Sequence, residues 1–558
     1  MSKDDIAAAL IQRQERLAAE RAALESQWQE IAELVSPMRA EFTLLRSPGE
    51  KRQQRVFDAT PSLAAENLAA GLWGMVTNSA NRWFELRSQD AEANALPAVT
   101  RWFEAAGERM RDALAANGLR FYTRAVDLYS DLVTFGTGVF YTEEIPETGA
   151  LHFSCRHLAE CFIAENDREQ VDTLFRRFHW TARQAWQRWG EGCGEAIAKA
   201  AEKEPERRFP FLHAVLPRAE ADRRRLDAKG MAFASYYLDL EGRKLLSEGG
   251  YPEFPYQVPR WSTRSRGLYG DSPAMLALPD IKMLNAMAKT TIVAAQKAAD
   301  PPILAPDEMA VRGLRTTPGG IIYGGVDEQG RARYQPFQSH AAIGLGLELE
   351  EQRRQAIREA FHWSLLLMIA APNQTATEVL ARQEEKLRLM GPHLGRLQSE
   401  FLDPLLTRLF NTMLRHRRLP PPPEALVGRG GIKVEYVSPA AQAQRASEGT
   451  AIVRALQALT PLAQLKPEVF DNIDADATAR RLAQAFGAPA ALLLDPETVA
   501  ALRAQRQQQA AMTQMAQAAP PLAGAVKDLA QAGVLPQAGV FPEAAGALAA
   551  AADAGGGA

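Results

Sequence analysis

Leu10, Leu17, Leu24 and Ile31 recur seven residues apart among charged neighbours, until Ser36-Pro37 stops the pattern. That spacing predicts one long amphipathic helix. Three heptad steps are short for a coiled coil, so the helix is expected to pack on its own domain. Helical spacing returns over Thr60–Asn78, Val99–Ala116 and Phe121–Thr134, and the last of these is broken by Phe135-Gly136-Thr137-Gly138. Alternating side chains predict strands at Arg82–Leu86, Val139–Glu143, Leu151–Arg156, Thr173–Phe178 and Ala232–Leu240. Charged sequence from Glu202 to Arg225 reads as loop. Three prolines in Tyr251–Trp261 confine that stretch to an extended loop or an edge strand.

The middle third carries the strongest signals. Ser272 as N-cap and Pro273 in the first turn start a helix, which Asp300-Pro301-Pro302 ends. Ile281, Leu284, Ala288, Ile292 and Ala295 form its apolar stripe. A small β-like insert follows over about 303–338, with a turn at Asp327-Glu328-Gln329-Gly330. A second long helix is expected from about Leu345 to Ile369, with Ile357, Phe361, Leu365 and Met368 on one face. Ala371-Pro372-Asn373-Gln374 breaks it. Thr375 and Glu378 then form a capping box for a third helix reaching about Arg418, with a kink expected at Gly391-Pro392. The prolines at 420–423 make a stiff spacer. Ile432–Val437 reads as a strand, and two or three helices cover Ala440–Gln508. The last 58 residues hold 21 alanines and one aromatic, Phe541, too little for a core of their own.

Charge narrows the function. Lys plus Arg is 64 and Asp plus Glu 67, a formal net charge of −3, which excludes a protein whose bulk charge clamps DNA phosphates. At 558 residues the chain is long enough for three or four domains of about 150 residues each. Three cysteines are too few for a disulfide framework and fit a reducing compartment. The acidic N-terminus and the absence of an apolar run near the roughly 18 residues of a membrane helix predict a soluble, intracellular chain.

Catalytic motifs are missing. No Gly-Lys dipeptide occurs, so there is no phosphate-binding loop, and there is no His-Glu-x-x-His zinc motif. Gly190–Gly194 lacks the third glycine of a dinucleotide loop, because Glu195 stands there. Gly270–Ala274 fits a helix cap better than a nucleophile elbow. His152, Cys155, His157 and Cys161 have metal-ligand chemistry, but strand alternation sends His152 and Cys155 to opposite faces. The expectation is therefore no metal, no cofactor and no catalysis. At the start of the helix after the insert, Glu348, Glu350, Glu351, Arg353, Arg354, Arg358 and Glu359 form either a solvated face or a mixed-charge channel wall.

A succession of segments gives the chain its likeness. Asp58-Ala59-Thr60, Leu68–Leu72, Asn81–Phe84, Phe135–Gly138, Tyr269–Pro273, Pro279-Asp280-Ile281, Thr317–Gly320, Thr375–Val379 and Leu389–Pro392 follow in that order. Together they resemble the head-to-tail connecting, or portal, proteins of short-tailed double-stranded-DNA bacteriophages, up to about residue 510. The resemblance implies a helix-rich α+β fold of wing, stem, clip and crown, assembling into a dodecameric ring. It implies a wing over 1–271, stem helices at 272–300 and 343–370, and a clip at 301–342. A tunnel loop at 371–375, a wing return at 376–439, crown helices at 440–508 and an alanine-rich tail at 509–558 follow. Candidate channel residues are Ala371, Pro372, Asn373, Gln374 and Thr375 in the loop, with Glu350, Glu351, Arg354 and Arg358 on the stem. Thr317, Pro318, Gly319 and Gly320 are docking candidates on the clip. Implied partners are double-stranded DNA passing through the ring, the terminase large subunit, the major capsid and scaffolding proteins, and tail adaptors. The implied place is the portal vertex of the virion, reached from the host cytoplasm during assembly. The competing reading is a capsid-associated adaptor or scaffold without a DNA channel.

Overall fold

A capping box at Ser2 and Asp5 opens helix α1, Lys3–Val35, which runs for 33 residues. The computed structural model describes residues 2–513 except 45–46, 48, 95, 117–120, 146–147, 220–224, 226, 305–320, 322, 324, 337–342, 365–387, 427–431, 438, 467–470, 487, 489–491 and 495–497. The chain divides into Met1–Phe486 and Gly487–Ala558. Within the second unit the described residues include a helix over 498–513.

The heptad face of α1 is used within the chain, as its length suggested. Ala7, Leu10 and Ile11 are buried against Phe162, Phe175, Leu212, Ala214 and Leu238 of a sheet. Further along, Trp28, Ile31 and Val35 enter the main core. Between these two contacts, buried Arg21 donates to the carbonyls of Leu158 at 2.9 Å, Ala159 at 2.7 Å and Cys161, and lies 3.8 Å over the Phe162 ring. One guanidinium thus satisfies three carbonyls of a tight, largely covered turn.

The main sheet is antiparallel, with order β4 (Cys161–Glu165), β5 (Val171–Thr181), β6 (Arg208–Pro217), β7 (Phe233–Asp239) and β8 (Lys244–Tyr251). Strand β6 corrects the loop reading of Glu202–Arg225. Phe209, Phe211, Leu212, Ala214 and Val215 are buried on both faces of a strand with a neighbour on each side. Such a strand does not alternate cleanly, and charged flanks hide it. A second sheet joins β3 (Ala150–Arg156), β2 (Val139–Ile145) and β9 (Tyr256–Gln257), so the proline-rich stretch does supply an edge strand. Strand β1 (Phe84–Ser88) pairs with Ile432–Tyr436, bringing the C-terminal half back onto the first core.

His213 sits buried in β6. Its ring nitrogens meet the Tyr256 hydroxyl at 2.8 Å and the Ser235 hydroxyl at 3.0 Å, and its ring stacks on Tyr237 at 4.0 Å. Burial first, then nearby Arg176, Arg156 and Arg188, push its pKa well below 6.5. The unfolded chain binds a proton near pH 6.5 that the folded chain refuses, so stability is lost as pH falls below that value. The unfolding free energy from urea titrations is expected to drop by about 1.4 kcal/mol per pH unit below 6.5. His213→Gln should flatten that dependence; an unchanged slope would count against the assignment.

Helices α2 (Thr60–Val76), α3 (Ala91–Asn94), α4 (Pro97–Ala115) and α5 (Phe121–Phe135) complete the first core, with α6 (Ala182–Trp189) and α7 (Glu195–Lys203) beside the main sheet. The two helices of the middle third follow, α8 (Pro273–Ala299) and α9 (Ile343–Ala360). Between them Ile303–Leu304 pairs with Gln335–Pro336, and the expected turn is present, with Gly330 at φ +75°.

Two expectations shift. Helix α9 ends at Ala360, where His362 takes φ +55°; 363–364 are helical again, and the rest of the expected span to Ile369, with Leu365 and Met368, lies outside the described residues. The helix over 388–397 runs through Gly391-Pro392 without a break. The irregularity falls instead at Gln398–Leu402, a π turn in which the Asp403 amide donates to the Gln398 carbonyl. Pro404, which has no amide hydrogen to give, stands at the start of the following helix, Asp403–Arg415.

Candidate functional site

The site is the antiparallel pair α8 and α9 together with the joint that roots α8 in the core. Ser272 caps α8 as expected: its hydroxyl accepts from the Met275 amide at 2.9 Å and donates to the Thr134 carbonyl at 2.8 Å. Two of the segments that carried the family likeness meet here. The Gly270 amide donates to the Thr137 hydroxyl at 2.8 Å, and the Trp261 amide donates to the Gly136 carbonyl at 2.8 Å. Gly136 has φ +77°, and a Cβ built on it would lie 2.2 Å from the Gly270 carbonyl oxygen. The motifs are glycine-bearing because two backbones cross in contact.

Aromatic packing surrounds the joint. Trp28 of α1 meets Tyr269 edge-on at 5.2 Å, and Phe42 meets Phe135 at 4.9 Å. Arg260 braces it from the side. This buried guanidinium bonds Glu400 at 2.8 Å and also reaches Glu165, while its amide donates to Glu400 at 2.8 Å. The π turn that holds Glu400 is thereby tied to the root of α8. The network borders a groove of about 1360 Å³ that also contacts Arg168, Arg266, Arg396 and Arg408. Arg408 is fully buried, donates to Glu253, and leaves its Nε and Nη2 without a hydrogen-bond partner.

Charge also fixes the two helices to each other. Thr291 of α8 donates to Glu350 of α9 at 2.6 Å, and Arg353 reaches Asp280 at 2.8 Å. Arg354 bridges Glu350 at 3.0 Å and Asp58 at 2.9 Å. Asp58 also accepts from the Thr60 amide at 2.8 Å. Burial alone would raise the Asp58 pKa, but the Thr60 hydrogen bonds and Arg354 outweigh it and hold the carboxyl below its ordinary 3.8. This contact persists wherever Asp58 is ionised and fails only on strong acidification. Asn285 clamps the strap leading to Asp58, donating to the Arg55 carbonyl at 2.9 Å and accepting from the Phe57 amide at 2.8 Å.

The four stem candidates separate by environment. Glu350 is only 3% exposed and points into the α8–α9 contact, with Arg354 partly covered beside it. Glu351 and Arg358 form an outward pair at 2.8 Å, with Glu351 58% exposed. Ala371, Pro372, Asn373, Gln374 and Thr375 lie outside the described residues, as do Thr317, Pro318, Gly319 and Gly320.

The cysteine and histidine set is dispersed. His152 is exposed on β3, and Cys155 points its thiol to Asp131 at 3.4 Å. His157 accepts from the Ala159 amide at one nitrogen and meets the Arg39 carbonyl at the other. Burial pushes both Cys155 and Cys161 up to about 12. Among the described residues no group of three or more His, Cys, Asp or Glu is arranged to hold a metal, and no helix is long and apolar enough to cross a membrane.

Sequence reading missed Arg260, Glu165 and Glu400. Their partners stand 95 and 140 residues away, so no local spacing could reveal them.

Comparison with known proteins adds a family. The profile of a family described as bacteriophage head to tail connecting protein matches residues 7–493. A probable portal protein of Bordetella phage BPP-1 is 32% identical, over 90% of this chain and 92% of the relative. The portal protein of Salmonella phage epsilon15 is 29% identical over the same shares. Among solved structures, a chain from the neck of an empty GTA particle computed with C6 symmetry aligns at TM-score 0.34 and 11% identity, covering 75% of this chain and 88% of that one.

Proposed function

The chain belongs to the bacteriophage head to tail connecting protein family, and from that premise we propose that it is a portal subunit. Identical copies close into a ring, expected to be a dodecamer, at one capsid vertex, and double-stranded DNA is packaged and ejected through the axis. The observation that carries this reading is the α8–α9 pair: two stiff helices locked by buried charge and rooted in the core through a glycine crossing. A conduit needs rigid walls that barely hold phosphates, because each neutralised phosphate adds salt-dependent affinity and therefore drag. A net charge of −3 suits that requirement.

In this reading α8 and α9 are the stem, the insert between them is the clip, and the helices after 439 are the crown. The clip, with Thr317–Gly320, receives the terminase large subunit and later the tail adaptors. The motor is a separate protein, since this chain holds no phosphate-binding loop. Capsid and scaffolding proteins meet the wing during assembly in the host cytoplasm.

Negative-stain imaging of purified protein and of phage particles tests this. A ring whose opening admits duplex DNA is expected. A ring too narrow for a duplex would favour the adaptor or scaffold, and no ring in either sample would defeat the portal reading. The tunnel loop has its own test. Asn373→Arg or Gln374→Arg is expected to cut packaged DNA at least tenfold while rings assemble normally. Normal packaging would remove the loop from the channel.

A further inference from the structure

Helix α8 carries two apolar stripes, and the core uses one. Ala274, Ala277, Ile281, Leu284 and Ala288 are buried, but Leu276, Pro279, Met283, Ala286, Thr290 and Val293 repeat at three and four residues along the opposite face. Leu276 is 74% exposed, Met283 51% and Val293 40%. The Thr290 hydroxyl donates back to the Ala286 carbonyl at 2.9 Å, so the stripe offers a methyl group there. No charged residue interrupts it from Leu276 to Val293, and its length exceeds the scattered apolar exposure of an ordinary surface.

Resting on the ring reading above, we propose that this stripe is a docking face for a second copy of the chain, received by the outer face of that copy's α9. Charge complementarity selects that occupant. One flank of the stripe bears exposed Lys282 and Lys289, whereas the outer face of α9 bears exposed Glu348, Glu351 and Glu359. The register agrees as well. Thr291–Glu350 and Asp280–Arg353 are both bonded, so the mean of the two contacts marks the register of the antiparallel pair. In that register Lys289 and Glu351 lie within about 4.5 Å of one height, and Lys282 and Glu359 within about 6 Å, offsets that these long side chains span. Rotation about an axis along the helices preserves height, so it carries both lysines of one copy to both glutamates of the next. Such a contact is heterologous, joining unlike faces, as a closed ring requires. It places Glu351 at the subunit boundary and not on the channel wall.

The neighbouring charges shape the test. Lys282 also meets Glu30 at 2.5 Å, and Glu351 already accepts from Arg354 and Arg358, whereas the Lys289 ammonium lies over the uncharged Phe57 ring at 5.6 Å, so Lys289 is the cleaner probe of charge. With the full chain in mass photometry, Met283→Glu combined with Val293→Glu is expected to raise the concentration needed for rings at least tenfold, with unchanged subunit circular dichroism. Met38→Glu, at a comparably exposed position elsewhere, should change nothing. Lys289→Glu should raise that concentration severalfold, and adding Glu351→Lys to the same chain should restore it. Rings indifferent to the Met283/Val293 change, or a charge swap that fails to recover, overturn this docking while leaving the ring reading intact. Variant rings that assemble but pass no DNA overturn it too and place the stripe on the channel. If the unaltered chain forms no ring, alone or in particles, the ring reading falls and this docking with it.

Discussion

Gly136→Ala is expected to be among the most damaging single-methyl changes available in this chain. The added carbon would sit 2.2 Å from the Gly270 carbonyl oxygen, 2.6 Å from its carbon and 2.7 Å from the Asp271 carbonyl carbon. All three are backbone atoms, so no side chain can swing aside. The φ of +77° adds a further penalty of about 1–2 kcal/mol for any residue with a Cβ. Overpacking a rigid contact typically costs about 1–3 kcal/mol, so a total of about 2–5 kcal/mol is expected. That is a large share of a domain's stability. Soluble yield and urea unfolding of Gly136→Ala check it, with Gly74→Ala as control, where a Cβ meets nothing within 4 Å. A loss below 1 kcal/mol would mean that the two backbones do not cross as described. Because α8 begins two residues after Asp271, the same change should also misplace the helix pair.

That joint shows what the sequence made legible. Phe135–Gly138 and Tyr269–Pro273 stood out separately, one as a helix break and one as a cap, and both readings hold. Their meeting across 134 positions of chain was invisible, because contact between distant backbones leaves no periodicity. Helix α8 was bounded well, since Ser272, Pro273 and Asp300 act locally at its ends. Its stripe was read only in part. Ile281, Leu284 and Ala288 are buried, but Ile292 and Ala295 are exposed, because the last turns of the helix carry little core against them. Strand β6 was mistaken for loop because a strand flanked on both sides loses its alternation. The kink was placed at Pro392, a proline the helix tolerates, while the π turn before Pro404 went unread. Among the channel candidates, Glu350 looked like its neighbours in sequence. Only the position of Thr291 and Arg354 shows that it faces inward.

Arg260 presents the opposite kind of dependence, electrostatic instead of steric. Its side chain is 4% exposed, and it neutralises Glu165 and Glu400, which are themselves about four-fifths covered. Replacing it by methionine keeps the volume but removes the one cation these two carboxylates share. Breaking a buried ion pair from one side costs about 3–5 kcal/mol, because the remaining charge is left uncompensated. Glu400 retains Arg396 at 2.9 Å, so the lower end of that range is expected here. Arg260→Met should therefore lose about 3 kcal/mol in urea unfolding. The second substitution discriminates cause from packing. Glu400→Gln removes one of the two orphaned charges, and its amide oxygen can still accept from the Arg260 backbone amide, which the methionine variant keeps. The double variant should recover at least 1 kcal/mol over Arg260→Met alone. If it is no more stable, the loss comes from cavity and contact, and the π turn is not held to the root of α8 by charge.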